Sequence, residues 1–373
     1  MSVFKLLARD PSGPRARLRD NNFDGLRLVF ASMVVLFHIG LLSDAGSLVW
    51  LQEHISATFA VQAFFVVSGF LVTMSYENSK SLAQYALKRA RRIAPAYVVV
   101  VVGAALALSL ISTLPLRAYF SSAGFWRYLG YNLILSNFTA PDLPGVFGSN
   151  LETEVNGSLW TIKIEVGFYI AVPILVWAVR RVGYRRVLPA VFALSLLWRF
   201  GFEWPSVNHH GDLFDRLAKQ LPGQLSFFVG GAWAYYRLLE GRLPRAWPAI
   251  VGVIAYALTY EEGNSSPTNW FVAPFAATAI VTWAAIAGPR LPPLGKYGDF
   301  SYGVYLYHFP IVQALIAAGL FARSPYLAAA VVVMSVALCS YLSWRLIEEP
   351  ALKRKTRSSH PPQGEMVATT GMR

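Results

Sequence analysis

Apolar residues run along this chain in ten stretches, at about 24–43, 56–76, 93–113, 157–179, 187–202, 222–238, 246–261, 270–287, 300–319 and 326–346. Several approach the roughly 20 residues that an α-helix needs to cross a bilayer. Polar turns separate them, among them YENSKS, RRVGYRR, EGRLPR, EEGNSSPTN, GPRLPPLGKYGD and FARSP. The pattern predicts an all-α polytopic membrane protein with about ten transmembrane helices. The fifth and seventh stretches are the short ones. The longest connection, 114–156, contains SSAGFWRYLGYNLIL, read as an interfacial helix, and then a loop rich in Pro and Gly. Three regions are expected: a basic N-terminal segment at 1–20 without a signal-peptide pattern, a membrane domain at 21–350, and a basic, disordered tail at 351–373.

Composition agrees with lipid as the main solvent. Of 373 residues, 55% are hydrophobic and only 14% charged, against roughly a quarter in ordinary globular proteins. Mean hydropathy is +0.43. The single cysteine, Cys339, excludes an internal disulfide framework and a cysteine metal cluster. No histidine pair has HExxH spacing, so no metal is expected.

A net charge of +13 would suggest nucleic acid in a soluble protein. The placement of the charges points elsewhere. If the N-terminus is cytoplasmic, the loops and ends on that side hold 24 Lys and Arg. The opposite side holds 5, namely Arg117, Arg127, Arg216, Lys219 and Arg323. This asymmetry follows the positive-inside rule and puts both termini in the cytoplasm. The basic excess then faces cytoplasm and membrane lipids, and no nucleic-acid partner is expected.

Charges inside the apolar stretches carry the candidate chemistry. The first helix, NNFDGLRLVFASMVVLFHIGLL, holds Arg27 and His38, eleven residues apart. That is about 16 Å along the axis with both residues near one face. An arginine in lipid costs roughly 3 kcal/mol or more, so Arg27 should face protein or a watery cavity. It could also snorkel or pair with Asp24. His38 could make an interhelical hydrogen bond, or act as a base near neutral pH. Glu165 in GSLWTIKIEVGFYIAV is expected in the same outer half as His38, where it could orient the imidazole, bind a sugar hydroxyl or join a salt bridge. Trp160 reads as a sugar-stacking face or an interfacial anchor. His308, in FSYGVYLYHFPI, lies among Tyr302, Tyr305 and Tyr307 and suits a hydrogen-bonded structural role. In KRARRIAP, Lys88, Arg89 and Arg92 could obey positive-inside or clamp phosphates.

Together these elements resemble the acyltransferase-3 family of integral membrane O-acyltransferases. The carriers are Arg27 with His38, FFVVSGF at 64–70, KRARRIAP at 88–95, SLWTIKIE at 158–165, SYGVYLYH at 301–308, and EEP at 348–350. The resemblance spans residues 20 to 353. It implies transfer of an acetyl or short acyl group from cytoplasmic acyl-CoA, acetyl-CoA above all, to a hydroxyl of an extracytoplasmic or lipid-linked glycan. It implies catalysis by His38, Glu165 and Arg27, and acyl-CoA binding by Lys88, Arg89 and Arg92. Trp160, Ser158, Gln62, Ser68 and His308 are then the substrate-side residues. Many members carry aspartate where this chain has Gln62, which bonds without charge. No soluble esterase-like domain is expected, as in members that decorate exopolysaccharide or Nod factors. The implied location is the bacterial cytoplasmic (inner) membrane, with a homodimer or polysaccharide-synthesis machinery as open partners. A proton-coupled transporter or flippase is the competing class, since intramembrane Arg, His and Glu suit it too.

Overall fold

The computed structural model describes residues 13–209, 212–260, 267–292, 295 and 298–353. Among these, ten helices have fourteen residues or more. They are α1 (Phe23–Ser43), α2 (Ala57–Glu77), α3 (Leu82–Ala107), α4 (Trp160–Val182), α5 (Tyr184–His209), α6 (Leu221–Leu239), α7 (Ala246–Thr259), α8 (Pro267–Ile286), α9 (Ser301–Ala317) and α10 (Pro325–Ser343). Each of the ten apolar stretches falls on one of them. Seven helical stretches are long and apolar enough to cross a membrane, which makes this a multi-pass membrane protein. The helices α6, α7 and α9 fall outside that set. The last two have only 14 and 17 residues, and Gly, Gln and Tyr dilute the apolar character of α6.

The greatest boundary difference is at α3. It starts eleven residues before the apolar stretch, because the cations of KRARR stand on helix and not in a loop. Ser81 caps that start by accepting from the Gln84 N–H, and Ser56 caps α2 through the Phe59 N–H. The expected interfacial segment is helical at Ala123–Leu133. Helix continues to Lys353, three residues past the expected boundary of the membrane domain. The rest of the expected tail, the first twelve residues, the turn at 261–266 and Lys296 lie outside the described residues.

Small residues bring the central helices together. A Cβ at Gly69 of α2 would lie 1.8 Å from the Phe228 carbonyl oxygen, and one at Gly231 of α6 would lie 1.9 Å from that of Val66. Close crossing of this kind is how helices pack where lipid removes the hydrophobic drive between them. Phe168 of α4 stacks on Phe228, ring centroids 4.4 Å apart, and closes the core between α2, α4 and α6. Asn22 ties the start of α1 to the end of α8, donating to the Ala284 and Pro289 carbonyls at 2.8 Å each. On the far side, Gln313 of α9 donates to the Glu152 and Glu154 carbonyls, and Asn156 donates to the Leu306 carbonyl. These bonds hold the loop before α4 against α9, and so set where Ser158 and Trp160 stand.

Candidate active site

Two chambers open inside the bundle, and Val61 and Tyr305 line both. The first is lined by Arg27, Ser68, Arg89, Arg92, Glu165, Tyr169 and Tyr302 among others. The second, about 250 Å³, is lined by His38, Gln62, Ser158, Trp160, Arg199, Glu203 and Trp270 among others. Arg27 and His38, eleven residues apart on α1, therefore face different chambers. One face of α1 joins the two, as the spacing predicts.

The first chamber is built on a shared carboxylate. Asp299, just before α9, pairs with Arg27, and it accepts from Arg92 at 2.6 Å and from the Ser301 hydroxyl at 2.6 Å. Burial pushes its carboxyl up, but the two guanidinium groups more than offset this, leaving it below the usual carboxylate range. Arg92 also lies 3.6 Å from Glu348 and over the Tyr302 ring. Glu348 is presented by a single π-helical turn, Trp344–Glu348, at the end of α10. Arg89 is different. It stacks over the Tyr169 ring, its Nε is buried without a partner, and it has no carboxylate within ion-pair distance among the described residues. Lys88 does not join the chamber. It is exposed and donates to the Ser79 hydroxyl at 3.2 Å.

Glu165 corrects the sequence reading. It stands in the first chamber with the arginines, not beside His38. Its Oε1 accepts from the Tyr169 hydroxyl at 2.6 Å and the Ser68 hydroxyl at 3.2 Å. Lys163 points elsewhere and donates to Gln220. Asp24 is likewise not the ion-pair partner of Arg27; Asp299 is.

In the second chamber, the partner of His38 is His308. Their Nδ1 and Nε2 atoms are 3.0 Å apart. The Nδ1 of His308 lies 2.7 Å from the Tyr305 carbonyl oxygen, one turn back on α9. A carbonyl only accepts, so the proton of a neutral His308 belongs on Nδ1. Its Nε2 then accepts from the Nδ1–H of His38. This assignment, made from the hydrogen-bond network, leaves the His38 Nε2 with a free lone pair. His308 itself is fully buried and lines neither chamber, which corrects its reading as a substrate-side residue.

The other substrate-side residues divide between the chambers. Ser68 belongs to the first, Gln62, Ser158 and Trp160 to the second. The Ser158 hydroxyl is committed to Asn156 at 2.7 Å. Gln62 is buried, and its Oε1 has no partner among the described residues. Sequence reasoning missed Asp299, which looked like an ordinary loop carboxylate. It also missed the Arg199–Glu203 pair, although an Arg and a Glu four apart within an apolar stretch is a readable signal. Among the described residues no group of His, Cys, Asp and Glu is arranged to hold a metal.

A bundle with a histidine-bearing chamber beside an arginine-lined one defines a class when set against known sequences. Residues 20–344 match the family described as an acyltransferase domain, and the chain belongs to that family. It is thus a membrane protein of the acyltransferase class. It is 30% identical to nodulation protein 10 of Rhizobium leguminosarum bv. viciae, over 93% of this chain and 97% of that one. It is 29% identical to an O-acetyl transferase of Shigella phage Sf6, over 91% of this chain and 98% of the relative. A peptidoglycan O-acetyltransferase of Listeria monocytogenes is 25% identical over 89% of this chain and 56% of its own length. No solved structure matches the chain.

Proposed function

We propose that the protein transfers an acetyl or other short acyl group from cytoplasmic acyl-CoA to a hydroxyl of an extracytoplasmic or lipid-linked glycan. The observation that carries this is the His38–His308–Tyr305 chain, which leaves one imidazole nitrogen as a lone-pair base in a chamber next to the arginines. The acetyl group is supported by two relatives that are O-acetyltransferases, and the glycan acceptor by the one of them that acts on peptidoglycan.

The acceptor hydroxyl gives its proton to the His38 Nε2 as its oxygen attacks the thioester carbonyl. The C–O bond forms, the C–S bond breaks, and the CoA sulfur leaves with the proton returned from His38. His308 holds the ring in its tautomer and spreads the charge that develops, so it is a positioning residue. Arg89 is the cation available to a CoA phosphate, because Arg27 and Arg92 are held by Asp299. Arg27 and Glu165 then shape the donor side of the reaction. In this account the pantetheine arm reaches His38 past Val61 and Tyr305. Direct attack needs fewer steps than an acyl-histidine relay and is the route proposed.

The membrane arrangement belongs to the same proposal. All ten helices cross the cytoplasmic (inner) membrane of a bacterium, and both termini are cytoplasmic. The functional test uses purified protein in nanodiscs with labelled acetyl-CoA and glycan oligosaccharides. Acceptor-dependent release of CoA with label in the glycan is expected. Glycan movement across a liposome without CoA release would favour the transporter class.

A further inference from the structure

The second chamber has a wall that the transfer chemistry does not use. On α5, Arg199 is 5% exposed, and its Nε and Nη2 both donate to the Glu203 Oε1, at 3.1 and 2.8 Å. The fork therefore closes on one carboxylate oxygen only. The Arg199 Nη1 and the Glu203 Oε2 are both buried and have no partner among the described residues. In the lining of the same chamber, Gln62 is 4% exposed, and its Oε1 also lacks a partner among the described residues. Buried polar atoms nearly always find partners, and these three belong to residues that line one cavity, where a small side-chain rotation would bring them to a ligand.

The set is chemically specific. The Arg199 Nη1 offers a donor, and the Glu203 Oε2 and Gln62 Oε1 offer acceptors. A carboxylate or phosphate would satisfy the donor but face two lone-pair acceptors. Neighbouring hydroxyls satisfy all three, since each can accept and donate. Charge says the same. Arg199 is balanced by Glu203, and at the rim Lys219 is balanced by Asp215 at 2.8 Å, so the wall is neutral overall. Trp160 and the buried Trp270 supply aromatic lining for the apolar faces of a ring. A volume of about 250 Å³ is far more than one water occupies.

We propose that Arg199, Glu203 and Gln62 form the acceptor subsite, and that it takes a neutral pyranose with neighbouring free hydroxyls. The proposal rests on the acyl-transfer reading of the His38 chamber, and it adds the residues that select the sugar.

Full-length protein in nanodiscs is probed by saturation-transfer NMR with the methyl glycosides of glucose, galactose, N-acetylglucosamine and glucuronic acid. Binding is read without turnover, so its outcome is separate from that of acyl transfer. At least one neutral glycoside should bind, and the glucuronide should bind at least about tenfold more weakly. The double variant R199Q/E203Q removes both charges together and leaves no buried ion unpaired. It should weaken the neutral glycoside by roughly tenfold to a hundredfold, the scale of charge-assisted hydrogen bonds. Its CoA affinity, which reports folding, should be unchanged. Gln62→Leu should weaken the same glycoside without touching the ion pair. Absence of binding by all four, preference for the glucuronide, or wild-type affinity in both variants overturns the subsite. The expected binding pattern without acetyl transfer from acetyl-CoA would leave the subsite standing and remove the transferase reading.

Discussion

The His38 Nδ1 and the His308 Nε2 lie 3.0 Å apart, and His308 reaches the Tyr305 carbonyl at 2.7 Å. The buried imidazole of His308 behind the half-buried one of His38 fixes the tautomer of the ring that faces the chamber. His308→Gln should therefore lower kcat by roughly tenfold to a hundredfold while the KM for acetyl-CoA stays within a factor of two, the pattern of a lost orienting group. His308→Ala, which keeps neither bond, should lose more rate than His308→Gln, with the same KM. Equal losses in kcat and donor binding in both variants would assign His308 to packing alone.

Arg89 and Arg92 share a helix but differ in their partners. Arg92 is committed to Asp299 and lies near Glu348, whereas Arg89 lies over the Tyr169 ring and has no carboxylate partner among the described residues. Arg89→Ala should weaken CoA binding by roughly tenfold to a hundredfold, as for one charge-assisted phosphate bond, with little loss of stability. Lys88→Ala should change it less than threefold, since Lys88 is exposed and bound to Ser79. Calorimetric titration with CoA decides. A larger effect for Lys88 than for Arg89 would contradict the account.

Asp299 neutralises two arginines from different helices. Asp299→Asn leaves both half-buried cations short of charge, a change that usually costs about 3–5 kcal/mol for a buried pair and somewhat less at this partial exposure. Thermal unfolding in nanodiscs should show a clear drop in Tm, larger than for any Lys88 variant. Because the carboxyl is held below its ordinary range, its stabilising contribution is complete above about pH 4. It fades only as pH falls through the depressed value. Stability of the wild type between pH 5 and 8 should thus carry no step from this residue. A drop that Asp299→Asn abolishes within that range would contradict it.

The ends of four helices meet on one side of the bundle. Arg180 pairs with Glu77 at 2.7 Å and Arg185 with Glu240 at 3.0 Å, joining the ends of α2, α4, α5 and α6. Reporter fusions at Ser79 and Arg185 should read cytoplasmic, and fusions at Asp142 and Arg323 external. An external signal at Ser79 would reverse the whole arrangement.

Much of this was readable along the chain, for physical reasons. A long apolar run has few structures open to it in lipid, so each of the ten stretches became a helix. The start of α3 was hidden because lysine and arginine serve equally well in a loop or on a helix. His38 and Arg27 stood out because a polar group in lipid needs a reason. Their true partners did not, since His308 and Asp299 are about 270 residues away and meet them only when α9 packs on α1. Glu165 was expected at the depth of His38, but depth along one helix does not say which cavity a side chain enters, and it lines the other chamber. The Arg199–Glu203 pair was legible as an i,i+4 pair, but its unpartnered atoms were not.

The turnover of His38→Gln bears most directly on the central claim. Glutamine keeps hydrogen bonding and much of the volume, but it cannot accept a proton near neutral pH. Acetyl transfer by this variant should fall by roughly a hundredfold to ten-thousandfold, the usual contribution of a general base. Its CoA affinity should stay as in the wild type, because the arginines line the other chamber. A folded His38→Gln protein that turns over at near the wild-type rate would contradict the account.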